Sequence, residues 1–194
     1  MLFRSRLRRC VYSTRVPPDD PTNTATENAV AQLCLNCGIC CNGVLFRDVE
    51  LQPRDAVVKL TALGLPIKNG KFPQPCAALG ADCRCRVYAD RPKRCRDFDC
   101  ALLQSVATGE VEVPAALRVI KQTLKRADEV RKFLRELGDT TEHQPLSRRF
   151  RNVKRRVESG PLDEDTAATF ADLSLAVHHL NVVLQQKFYS DSNE

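Results

Sequence analysis

Nine of the chain's ten cysteines lie between Cys34 and Cys100, and the last 94 of its 194 residues contain none. A disulfide framework usually staples the whole of a small fold, whereas thiols crowded into one stretch point to a local site. A chain of this length buries enough surface to fold on a hydrophobic core, so the cysteines are not needed merely to rescue a short sequence. They are expected to build something.

The N-terminus, MLFRSRLRRCVYSTR, has five Arg, no acid and no apolar core of the secretory kind. It reads as a basic tail, with a mitochondrial presequence as the alternative. No run of about 18 apolar residues occurs, so no membrane-spanning helix is expected. The expected location is therefore the cytoplasm, or else the mitochondrial matrix; in either reducing compartment clustered thiols hold metal more often than they form disulfides.

Three regions are expected: a flexible tail over 1–28 ending in a Pro-rich linker, a cysteine module over 29–110, and a helical part over 111–190 packed on it. Within the module VLFRDVEL suggests an irregular strand, PRDAVVKLTAL a short helix stopped by Gly64, and IKNGKF a tight hairpin around Asn69 and Gly70. Beyond it, Pro114 to Leu137 predicts a long helix with Leu117, Ile120, Leu124, Ala127, Leu134 and Leu137 on one face. Leu146, Phe150, Val153 and Val157 predict a second, ending by Gly160. A third begins after Pro161, with acids in its first turn and a stripe of Phe170, Leu173, Val177, Leu180, Leu184 and Phe188. The expected architecture is mainly α: an irregular, metal-stabilised cysteine module packed against a small helical bundle.

The thiols fall into three groups. Cys34, Cys37, Cys40 and Cys41 occur in LCLNCGICC, Cys76, Cys83 and Cys85 follow, and Cys95 and Cys100 close the set. Sulfurs three positions apart on a tight turn reach one ion, and Gly38 supplies the permissive backbone. Cys40 and Cys41 are different: adjacent side chains in an extended chain point opposite ways, so either they serve two ions or one of them stands behind the other's site. A zinc held by four thiolates carries a formal charge of 2−. Arg84, Arg86, Arg91, Lys93, Arg94 and Arg96, interleaved with the cysteines, suit the role of offsetting it; a nucleic-acid patch or a solvated face are the competing readings. The formal net charge of +6 counts thiols as neutral. Eight thiolates would lower it by eight and two zinc ions restore four, leaving about +2, so the basicity is a weak argument for nucleic acid and DNA binding is not expected.

In the order C34-L-N-C37-G-I-C40-C41, P75-C76, C85-R-V-Y88 and R91-P92-K-R-C95-R-D-F98-D-C100, the sequence resembles the YkgJ-type cysteine cluster family, also called the CxxCxxCC zinc- or iron-chelating domain. The likeness covers roughly residues 33 to 105. It implies a metal-chelating domain of loosely described function, with Cys34, Cys37, Cys40, Cys41, Cys76, Cys85, Cys95 and Cys100 as ligands. Flagellin lysine methylases contain a similar cysteine region, which adds weight to an iron-sulfur cluster as the bound group. Cys83 and Cys10 depart from the pattern; Cys83 is a possible substitute for one ligand and Cys10 a bystander.

The remaining candidates are few. His143, His178 and His179 are expected at the surface or in the core rather than as ligands. Asp97 and Asp99 suit partners for neighbouring arginines. Arg148, Arg149, Arg151, Lys154, Arg155 and Arg156 form a basic helix, either a wet amphipathic face or a dock for RNA or an acidic protein. No phosphate-binding or hydrolytic motif is present, and nothing indicates catalysis. The expected function is thus metal binding, by zinc or an iron-sulfur cluster. The alternatives are an iron-sulfur enzyme of redox or methyl-transfer chemistry, an interaction module, and a disulfide-bonded protein.

Overall fold

Lys68 and Lys71 pair across a two-residue turn in which Asn69 and Gly70 both take positive φ, 51° and 71°. That backbone is the one Asn-Gly sequences adopt most readily. In the computed structural model, which describes residues 33–161 and 163–189, this turn leads into the second strand of the module's sheet. The basic tail, its linker and Cys10 lie outside the described residues.

The module's sheet has two strands. β1 (Asp48–Glu50) runs antiparallel to β2 (Lys71–Pro73), with Val49 opposite Phe72. Between them α1 (Val57–Ala62) ends where Gly64 turns at φ +92°. Leu60, Leu65, Phe72, Ala78 and Val87 form a small core under this sheet. A 3-10 turn at Tyr88–Asp90 and the short α2 (Lys93–Asp97) follow, and α3 (Ala101–Ala107) then leaves the module.

The larger core is helical. α4 (Val113–Glu136) and α6 (Glu164–Lys187) make the most extensive helix contact, with α5 (Leu146–Glu158) beside α4. α4 starts with Pro114 in its first turn, where a missing N–H costs nothing, and Gly138 follows it at φ +76°. Its buried stripe is Ala116, Ile120, Thr123, Ala127, Val130 and Leu134. This is a correction to the predicted face: Leu117 is 39% exposed, because the small Ala116, wholly buried, lets the neighbouring helix approach closely. The stripes of α5 and α6 fall as the spacing predicts, with Phe150, Phe170 and Val177 at their margins. Asp163 caps α6, its Oδ1 accepting the Thr166 N–H at 2.8 Å.

α6 is apolar on most of its circumference. Glu164–Lys187 contains an 18-residue stretch with a mean hydropathy of 1.3, so by length and composition alone it is long and apolar enough to cross a membrane. No strict run of about 18 apolar residues occurs in it, as the sequence predicts, since Asp172, His178, His179 and Asn181 interrupt the apolar stretch. Here Leu173, Ala176, Leu180 and Leu184 are buried in the helical core, while Leu175 faces outward.

Cysteine module and bundle share that core. Leu33, Ile39, Val44 and Leu45 belong to the same buried cluster as Leu184 and Phe188. The Leu146 N–H donates to the Gly43 carbonyl at 2.8 Å, and the Tyr189 hydroxyl donates to the Leu45 carbonyl at 3.3 Å. Gly43 (φ +77°) sits at a close approach, since a Cβ there would lie 3.1 Å from Pro145 Cα and from Pro75 Cδ, tight enough that these neighbours would have to give way. The protein is mainly helical, an irregular module set on a small bundle, as the sequence predicts.

Candidate metal centre

Residues 33–37 form a helical turn, which puts Cys34 and Cys37 on one face. The chain then reverses at Gly38 (φ +64°), whose carbonyl accepts the N–H groups of Cys41 and Asn42 at 3.0 and 2.9 Å. Ile39, wholly buried in the helical core, pins this turn. Cys40 and Cys41 therefore sit within one fixed, hydrogen-bonded turn and not on an extended stretch.

The later cysteines are delivered to the same place. The Cys76 N–H donates to the Cys41 carbonyl at 2.7 Å, and the Leu79 N–H to the Cys76 carbonyl at 3.0 Å. An isolated bridge between Leu79 and Cys85 folds Cys85 back beside Cys76. Cys95 lies on α2, and Cys100 immediately precedes α3. All eight of these cysteines line one cavity of about 410 Å³. Its apolar walls include Phe46, whose ring meets Phe98 edge-on at 4.9 Å between centroids.

All eight are free thiols. Cys83, buried at 3% exposure with φ +64°, lines the same cavity but is disulfide-bonded. With eight of the nine described cysteines free, the structure does not have the disulfide framework weighed as an alternative.

Burial dominates the acidity of these thiols. It pushes Cys34 up to about 11, Cys37 to about 12 and Cys95 to about 12, and raises Cys40, Cys41, Cys76 and Cys100 as well. Neighbouring thiolates add to it, because each negative charge opposes the next. Backbone amides act the other way: those of Leu103 and Leu102 favour the Cys100 thiolate, and those of Ala78 and Leu79 favour that of Cys76. Among the described residues no three His, Cys, Asp or Glu side chains already stand in the ligand geometry of one ion. Burial thus favours the neutral form of these seven thiols, which lie within electrostatic reach of one another. An ion entering the cavity would have to displace their protons and draw the sulfurs inward. An all-sulfur donor set in a mostly apolar cavity suits zinc or an iron-sulfur cluster and not a hard, oxygen-seeking cation.

The cations near the site divide. Arg91 acts on both Cys34 and Cys95, favouring the thiolate at each, and Arg86 does so at Cys76. The Arg91 guanidinium lies 3.6 Å from the Tyr88 ring centroid, and its Nε donates to the Tyr88 carbonyl at 3.1 Å. Lys93 is instead paired with Asp97, and Arg96 donates to the Arg91 carbonyl. Asp97 therefore meets a lysine and not an arginine.

One residue of the cavity is not signalled by the sequence. Gln74 is 1% exposed and its Oε1 has no hydrogen-bond partner, while its side chain lines the same cavity as the thiols. Its only hint in sequence is its place two residues before Cys76.

Other candidates fall away from the centre. His143, His178 and His179 are exposed. On α5 the six cations do not act as one patch. Arg149 is buried, its Nε donating to Asp139 Oδ2 at 2.7 Å; Lys154 faces Glu158 at 3.6 Å; Arg156 donates to the Leu137 carbonyl. Arg148, Arg151 and Arg155 are left outward on the amphipathic face.

Residues 33–129, half of the chain, match the family model for CxxCxxCC, described as "Putative zinc- or iron-chelating domain". No curated protein and no solved structure matches the chain. The matched span runs past Cys100 through α3 and into α4, further than the motif itself.

Proposed function

Since the chain belongs to the CxxCxxCC family and carries its zinc- or iron-chelating domain, we propose that its function is to hold zinc or iron through the thiolates of Cys34, Cys37, Cys40, Cys41, Cys76, Cys85, Cys95 and Cys100. The observation that carries this reading is the convergence of these eight free thiols, drawn from separate stretches of the module, on one cavity. Bound metal would supply positive charge that keeps the sulfurs deprotonated despite their burial. Arg91, stacked on Tyr88, and Arg86 would offset the charge of the resulting anionic site.

The module's own core is five side chains, and its strands are three residues each. Such a region gains more from metal crosslinks than the helical bundle does, so ordering the module is the metal's first role. Iron-sulfur chemistry is the second reading, favoured by the apolar walls that Phe46 and Phe98 give the cavity. Elemental analysis and an absorption spectrum on protein purified without oxygen test both. Stoichiometric zinc and no visible band identify a zinc protein, iron with a broad band near about 400 nm identifies a cluster, and neither metal at stoichiometric level overturns the proposal.

A further inference from the structure

We propose, on the reading that these thiols chelate metal, that they form two separate centres whose boundary is the peptide bond between Cys40 and Cys41. Cys34, Cys37, Cys40 and Cys100 hold one ion, and Cys41, Cys76, Cys85 and Cys95 hold the other.

Packing carries this division. Cys37, Cys40 and Cys100 pack against the helical core, while Cys76, Cys85 and Cys95 pack against the small core beneath the two-stranded sheet. Cys34 joins the first set because the helical turn over 33–37 places it beside Cys37. Cys100 joins it because α3, which it precedes, buries Leu102, Leu103 and Val106 in the same cluster as Ile39. Cys41 belongs to the second set, its carbonyl accepting the Cys76 N–H at 2.7 Å. The Leu79–Cys85 bridge then completes the approach of Cys76 and Cys85.

Each set has four sulfurs, the number that closes a tetrahedral shell without water. The adjacent cysteines of LCLNCGICC thereby acquire a physical reason: one turn supplies a thiol to each of two ions. In sequence the second centre is nested within the first, all its ligands falling between Cys40 and Cys100.

The test is titration of the reduced, metal-free, full-length protein with Co²⁺, read by thiolate-to-cobalt absorption and checked by metal analysis of zinc-loaded protein. Two tight ions per chain are expected. C34S/C100S, both changes in one set, should keep one tight ion, as should C85S/C95S; C34S/C95S, with one change in each set, should keep none. C40S and C41S, though neighbours, should each remove a different ion, so that C40S/C100S keeps one and C41S/C100S none. One tight ion in the unaltered protein overturns the division whether or not any variant folds, as does loss of both ions from either within-set variant that retains its far-ultraviolet helical signal. No tight ion in the unaltered protein sinks the chelation reading itself.

Discussion

The Arg149 guanidinium meets the Asp139 carboxylate at 2.7 Å with both side chains almost completely excluded from solvent, at 3% and 4% exposure. The pair joins α5 to the segment that follows α4. Thr141 completes it, its hydroxyl donating to Asp139 Oδ1 at 2.6 Å, while Arg149 Nη2 remains without a partner. Removing one member leaves an uncompensated buried charge. Arg149→Ala is expected to cost about 3–5 kcal/mol of stability in urea unfolding. The double variant with Asp139→Ala should lose clearly less than the sum of the two single changes. Additive losses would mean that the two groups do not act as a pair.

The same pair sets an acid limit. Burial tends to raise the Asp139 carboxyl, but the hydrogen bonds from Thr141 and Arg149 outweigh it and hold the group below the usual carboxylate range. A depressed value means that the stabilisation is fully present above the unfolded value of about 3.9 and is lost as pH falls through the lower folded value. Unfolding midpoints measured from pH 6 downward should drop on the acid side. Asp139→Asn should show a shallower drop, and an acid limb unchanged by that substitution would count against the assignment.

Gly43 is the point where the cysteine loop touches the bundle. A methyl group there would meet both a strained positive φ and a 3.1 Å approach of Pro145 Cα and Pro75 Cδ. Gly43→Ala should therefore cost at least about 2 kcal/mol, whereas Ala at Gly70, with φ +71° and open space around it, should cost only the conformational part, about 1–2 kcal/mol. Equal losses at the two positions would show that the close approach has no energetic weight.

Metal removal should act unevenly. The helical core holds twenty buried side chains and the module's core five, so chelation is expected to leave α4 and α6 helical while the segment from Leu60 to Val87 loosens. Hydrogen exchange reads this directly. Amides of Leu60 to Val87 should exchange at least about tenfold faster without metal, and those of Ile120 to Leu134 should change little. Uniform acceleration along the chain would mean that module and bundle open as one unit.

The helices were legible because their apolar residues recur with a helical period and their ends carry the residues ends require, such as Pro114 in the first turn of α4 and Asp163 before α6. The hairpin was legible for a similar reason, since Asn69-Gly70 carries its own turn geometry. The face of α4 was legible except at Leu117: Ile120, Ala127 and Leu134 are buried and Leu124 and Leu137 pack on the core, but sequence hydrophobicity ranks Leu117 above Ala116, while close helix packing rewards the smaller side chain. Arg149 reads as surface charge, as its partner Asp139 lies ten positions away in an irregular segment with no periodic relation to α5. The cysteine motif named the eight thiols; their distribution over two cores depends on contacts such as Cys41 with Cys76, which span tens of residues and leave no trace in local spacing. Gln74 was invisible, because nothing about a glutamine beside a proline announces burial.

The hydrogen bond from Tyr189 to Leu45 joins residues 144 positions apart, and around it Ile39, Val44, Leu184 and Phe188 form one buried group. A ribosome making this chain exposes the first cysteine turn long before it makes the helix that packs against it. The nascent thiols must therefore pass through a period without their hydrophobic backing, open to oxidants and stray ions. Maturation of this protein is consequently a matter of timing as much as of affinity. Ions captured early by the turn alone would be held in a half-made setting, and the later arrival of α6 would close it.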